Sequence, residues 1–262
     1  MTLYRYGLRQ ARLAWLVWTL VVVLIVVMVV STAAAVVQTP AVYTAVMRGM
    51  PASLLALFGG AALLRHPLDS YLVSKLLLYL PLIGGLLGAF QAASLARELE
   101  TGQADFLLAL PVRRAAVFGA RLATTLSAVA GLWVVTGLTL LLATRSNHLP
   151  LALGPVALLA YAGFVVDAVL VSAALAAAVL AGSYRGGLRL ALAIVVAPAI
   201  VDWALKIALV PPGWLLVAPY GYYDPARILV SHPFAWAATL VLIPATVVIG
   251  YLGQRVFERK EV

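Results

Sequence analysis

Hydrophobic positions along this chain run in long unbroken blocks, and the charged positions are confined to short gaps between them. A helix needs about 20 apolar residues to cross the hydrocarbon core of a bilayer. Six blocks reach that length, at about 13–37, 71–95, 122–144, 151–181, 190–210 and 234–253. The first, third and sixth carry no charge, and the second carries only Lys75. The fourth holds Asp167, and the fifth holds Asp202 and Lys206. The pattern predicts an all-α polytopic membrane protein of six transmembrane helices, with 1–262 forming a single transmembrane domain. No internal repeat, low-complexity stretch or flexible linker divides it.

Composition agrees with the pattern. Of the 262 residues, 65% are hydrophobic and 10% charged, and the mean hydropathy is +1.07. A soluble domain carries about 25% charged residues, so this chain has too little charge to coat a globule in water. Disorder is excluded too, because it requires low hydrophobicity. The net charge of +9 invites a nucleic-acid reading. Nucleic-acid-binding proteins cluster Lys and Arg on one face or helix, whereas here they flank the apolar blocks, so no nucleic acid is expected as a partner. The run after Arg12 is too long for a signal-peptide core, typically about 7–15 residues, so the first block is expected to stay as a span.

The basic residues also orient the chain. With six spans both termini lie on one side, which would carry Arg5, Arg9, Arg12, Arg97, Arg113, Arg114, Arg121, Arg185, Arg189, Arg255, Arg259 and Lys260. The other side would carry Arg48, Arg65, Arg145 and Arg227, with all three histidines, His66, His148 and His232. Cytoplasmic loops hold the excess of Lys and Arg. A multi-pass protein of the cell membrane with both termini cytoplasmic is therefore expected.

Three connecting regions stand out. Arg5, Arg9 and Arg12 share one helical stripe beside an apolar stripe of Tyr4, Leu8 and Trp15. This fits an N-terminal amphipathic helix on the cytoplasmic surface, or equally a simple basic flank. Between spans one and two, Pro51–Gly60 is apolar but too short to cross, which predicts a short re-entrant or interfacial outer segment. The last outer loop, 211–233, holds five prolines with Trp214, Tyr220, Tyr222 and Tyr223, and reads as an aromatic belt with turn chemistry.

The most charged stretch of the protein is 96–121, between spans two and three. Thr101-Gly102 reads as a helix start, with Thr101 as N-cap. Asp105 then falls in the first turn, where the helix dipole favours an acid. Phe106, Leu107 and Leu110 form an apolar stripe, and Pro111 stops the helix. Such a short amphipathic helix needs a groove for its stripe, either at the lipid interface or on a partner protein.

This stretch, running from Glu98 and Glu100 through Thr101, Gly102, Asp105, Phe106, Leu107, Leu110 and Pro111 to Arg113 and Arg114, resembles the cytoplasmic loop of ABC-2 type transporter permeases. The six-span topology, the segment before span two, the last outer loop and the basic tail are also similar to that family. The resemblance implies a permease subunit, as homodimer or heterodimer, of an ATP-driven exporter. A separate ATPase subunit would bind ATP and Mg, leaving this chain without a cofactor. The 98–114 segment would be the coupling helix, with Phe106, Leu107 and Leu110 docking in the ATPase and Glu98, Glu100, Arg113 and Arg114 framing the contact.

The chain holds no machinery of its own for bond chemistry. Its lysines are Lys75, Lys206 and Lys260, and none stands in the Gly-x-x-x-x-Gly-Lys-Ser/Thr pattern that cradles phosphates. It has no cysteine, and its three histidines lie on three separate loops, so no metal site is expected. No nucleophile elbow or paired-carboxylate spacing is present, so a non-enzymatic transport subunit is expected. The intramembrane ionisable residues remain as candidates, because such groups are expensive in lipid. Asp202 and Lys206 stand at i,i+4 in the favourable acid-first order, which predicts an ion pair. Asp167 has no partner in its own helix and needs one on another span. These three residues also fit an ion-coupled secondary transporter, and the Asp202–Lys206 pair fits a structural lock of span five against a neighbour; a passive membrane anchor for a cytoplasmic complex is a third reading of the chain. Small residues in span four, and Gly84, Gly85 and Gly88 in span two, predict close helix packing. Pro81, Pro198 and Pro244 are candidate kinks.

Overall fold

The computed structural model describes residues 3–58, 60, 66–102, 113–231 and 236–259, and its regular elements are all helical. Six helices are long and apolar enough to cross a membrane. The first is α1 (Leu3–Gln38), followed by two short helices, α2 (Pro40–Arg48) and α3 (Ala52–Leu57). The second span is α4 (Pro67–Leu72), a π-helical turn at Val73–Leu77, and α5 (Leu80–Glu100). Then come α6 (Arg114–Ser146), α7 (Leu153–Ala181) and α8 (Tyr184–Ile207). The short α9 (Pro212–Leu215), a 3-10 turn at Pro219–Tyr222 and α10 (Pro225–Ser231) lead to the last span, α11 (Trp236–Arg259).

Several boundaries differ from expectation for physical reasons. The N-terminal basic stripe is continuous with the first span. It is the opening of α1, which runs unbroken from Leu3 because no proline interrupts it. Gly7 there faces the Thr124 side chain, and a Cβ at Gly7 would lie 2.6 Å from Thr124 Oγ1. The bare glycine thus lets α1 lie close against α6. The second span starts earlier than its apolar block, at Pro67, and is interrupted rather than kinked. Pro81 offers no N–H to the carbonyl four residues back, and its ring would crowd that carbonyl. The helix relaxes through the π turn and restarts with Pro81 in its first turn, where the missing N–H costs nothing. Pro198 and Pro244 lie inside α8 and α11. The Pro51–Gly60 segment forms one short helix, α3, directly after Pro51, and α3 packs on α8.

Two spans form the centre of the bundle. The most apolar stretch of the second span is 72% buried and that of α7 is 67% buried, against 22% to 39% for the others. These central helices approach closely through small residues. A Cβ at Gly88 would overlap Val171 of α7, one at Gly84 would overlap Asp167, and one at Gly163 of α7 would overlap the Trp133 ring. The other spans pack around this pair, with α1 along α6 and α11 along α7. Gly182, at φ +70°, ends α7, and Ser183 caps α8 by accepting from the Gly186 N–H, so the chain reverses within two residues. Both ends of the chain meet at the start of α6: the Tyr6 ring lies against Arg121, and Phe257 against Phe118.

Candidate functional site

Two polar clusters stand out in an otherwise apolar bundle. The first lies at the end that carries both termini. Glu98, near the end of α5, is 3% exposed and pairs with Arg121 of α6, itself 8% exposed. Arg121 Nη2 donates to both Glu98 carboxylate oxygens and to Gln10 Oε1 of α1. Gln10 Nε2 closes the ring by donating to Glu98 Oε1 at 2.6 Å. Each partner is thereby satisfied twice, which is what a buried ion pair requires. Two residues on, Glu100 Oε2 accepts the backbone N–H of Tyr184 at 2.6 Å. That N–H belongs to the first residue of α8, where a helix favours an anion. Arg97 stacks over the Tyr184 ring.

These contacts hold the start of the 98–114 segment. Thr101 closes α5, donating its hydroxyl to the Arg97 carbonyl at 2.9 Å, and the helix expected to start after Thr101-Gly102 lies outside the described residues. Gly102, at φ +70°, takes the left-handed conformation that terminates helices. At the other end, Arg113 is extended and exposed, and α6 begins at Arg114. Asp105, Phe106, Leu107, Leu110 and Pro111 lie outside the described residues.

The second cluster lies inside the bundle. Asp167, in the middle of α7, is fully buried. Its expected partner on another span is Trp133 of α6, whose indole donates to Asp167 Oδ2 at 2.7 Å. Asp202 and Lys206 form the expected pair on α8, with Lys206 Nζ donating to Asp202 Oδ2 at 2.7 Å. Tyr220 and Tyr223 join them from the last long connection. Expected in an interfacial aromatic belt, both rings are instead buried, at 5% and 3% exposed. The Pro219–Tyr222 turn folds them inward, where Tyr223 packs against Trp133 with ring centroids 6.0 Å apart. Trp214 does stay exposed. Burial pushes both phenols up from their ordinary range. The carboxylates of Asp167 and Asp202 add to this at Tyr220, and those of Asp167 and Asp224 at Tyr223. Both hydroxyls therefore stay neutral at physiological pH.

Asp202, Lys206, Tyr220 and Tyr223 line a small cavity with room for about one water molecule. Among the described residues no group of three or more His, Cys, Asp or Glu gathers in a metal-binding arrangement. Gln10, Arg121, Trp133, Tyr220 and Tyr223 are members of these clusters that the sequence pattern does not mark. Arg121 reads as one more basic flank, and Trp133 as one more apolar residue of an uncharged span. Compared with known proteins, the chain matches no protein family and no curated sequence.

Proposed function

We propose that this chain is the membrane-spanning permease subunit of an ATP-driven exporter of the ABC-2 type. The observation that carries the proposal is the 98–114 segment. It bears the residue pattern of that family's coupling loop, and its first residues, Glu98 and Glu100, are tied to three different spans. The Glu98–Arg121–Gln10 ring ties it to α1 and α6, and the Glu100–Tyr184 bond ties it to α8. A push on the segment from an ATPase seated on the cytoplasmic face would therefore reach α1, α6 and α8 together. The sequence lacks a phosphate-binding lysine loop, so ATP and Mg are assigned to that partner. A second permease chain, identical or not, would complete the path, and both termini would be cytoplasmic. The chain itself breaks no bond and acts by changing shape.

The test begins with purification of the tagged protein from its native membranes and identification of what comes with it. A stoichiometric P-loop ATPase is expected. Phe106→Asp should then abolish substrate-stimulated ATP hydrolysis by the complex while the permease still accumulates in the membrane. Absence of an ATPase under mild detergent, or full stimulation in the variant, overturns the assignment.

A further inference from the structure

The interior cluster has more oxygen than its hydrogen bonds use. Asp167 Oδ1, Asp202 Oδ1, Tyr220 Oη and Tyr223 Oη are buried and have no hydrogen-bond partner among the described residues. Buried polar atoms are almost always paired, because leaving one unpaired forfeits its hydration with no return. These atoms come from three separate elements, and Tyr220 links them: it meets Asp167 beside Gly85 and shares a cavity with Asp202 and Tyr223. Tyr220 Oη and Asp167 Oδ1 both face the bare side of Gly85, lying 3.3 Å and 3.5 Å from where its Cβ would sit. Asp202, Tyr220 and Tyr223 share the lining of the water-sized cavity.

Charge then selects the occupant. The cluster holds two carboxylates and one ammonium, and Lys206 is already committed to Asp202 Oδ2. If both carboxylates are ionised, one negative charge is left over. All four free atoms are oxygens, the donors that hard cations prefer. A divalent ion would overcompensate one negative charge in a low-dielectric interior, and the carboxylates exclude an anion. The cavity's size excludes an organic cation.

A second, larger cavity adjoins the cluster. At the end of the bundle opposite the termini, a cavity of about 240 Å³ is lined by residues of α3, the π turn, α9 and α10, together with Asp224. Leu78 and Lys206 line both this cavity and the small one. Lys206 thus lies where the two cavities adjoin.

We propose that Asp167, Asp202, Tyr220 and Tyr223 form a binding site for a monovalent metal cation of sodium's size, reached past Lys206 from the end opposite the termini. The Trp133 indole holds the Asp167 carboxylate by one oxygen and leaves the other free for the ion. The site does not depend on the exporter reading, since it needs no ATPase.

The test uses the full chain purified without partners. Its thermal unfolding is followed in sodium chloride and in choline chloride at equal ionic strength, and ²²Na⁺ binding is measured directly. A ligand at free concentration c that binds only the folded state stabilises it by RT ln(1 + c/Kd), so the unfolding temperature keeps rising with the logarithm of ligand concentration above Kd. Sodium should raise the unfolding temperature and choline should not, and ²²Na⁺ binding should saturate. Asp167→Asn should abolish both the shift and ²²Na⁺ binding. Tyr220→Phe removes one ligand and keeps the ring, and should weaken sodium binding about tenfold. It carries the test by itself if the Asn variant does not accumulate. Equal unfolding temperatures in both salts overturn the proposal and leave a water in the cavity. Stabilisation that follows pH alone, or that persists unchanged in the variants, overturns it as well.

Discussion

At the scale of single residues, the Glu98–Arg121 pair is the point where the bundle is most exposed to damage. Neither group reaches bulk water, and each depends on the other and on Gln10. Removing one partner of a buried ion pair strands a charge and costs about 3–5 kcal/mol, whereas replacing both with apolar groups is often neutral. Arg121→Leu is therefore expected to lower the unfolding free energy of the purified chain by about that amount, because the Glu98 carboxylate keeps only the Gln10 amide. The double variant Glu98→Leu with Arg121→Leu should recover most of the loss in thermal or denaturant unfolding. If the double variant is as unstable as the sum of the two single variants, the pair is not coupled as described.

At the scale of elements, α1 and α6 run alongside each other from the terminus. Tyr4 donates to Ser127 at 2.9 Å, and the Trp15 indole donates to the Ala128 carbonyl at 2.8 Å. Gly7 sets the spacing between the helices, since its ideal Cβ would lie 3.3 Å from Thr124 Cβ. Disulfides join Cβ atoms about 3.8 Å apart. The chain has no cysteine of its own, which gives a clean background. Gly7→Cys with Thr124→Cys is thus expected to oxidise readily to an intramolecular disulfide, read as loss of maleimide labelling that reductant restores. Persistent labelling of both thiols under oxidising conditions would place α1 elsewhere. The same contact holds the basic opening of α1 against α6 through Gly7, Gln10 and Trp15.

At the scale of the whole molecule, six spans bring both ends of the chain to one end of the bundle, where Tyr6 meets Arg121 and Phe257 meets Phe118. The proposed orientation puts that end in the cytoplasm. A green fluorescent protein fused after Val262 is then expected to fluoresce, while an epitope inserted between Ser146 and Leu153 should be labelled from outside intact cells. The reverse pattern would invert the orientation and remove the coupling segment from any cytoplasmic ATPase. The architecture also explains the uneven burial. The second span and α7 are enclosed by the others, whereas α1, α8 and α11 keep apolar faces such as Leu20, Ile200 and Val247 turned outward. A bilayer covers such faces without further partners.

The sequence alone determined what depends on a local window. Crossing hydrocarbon needs a length of unbroken apolar residues, so six helices long enough to span were legible, while their ends and the π interruption of the second were not. The Asp202–Lys206 pair was legible for the same reason, because four residues along one helix fixes the geometry. The tertiary structure decided everything that joins distant residues. Glu98 and Arg121 are 23 residues apart, Trp133 and Asp167 are 34 apart, and Gln10 and Glu98 are 88 apart. No local pattern records which face of one helix meets which face of another. The inward fold of Tyr220 and Tyr223 was hidden likewise. A tyrosine in a proline-rich loop suits a membrane interface as well as a core, and only the neighbouring carboxylates and Trp133, brought in by other helices, make the interior its place.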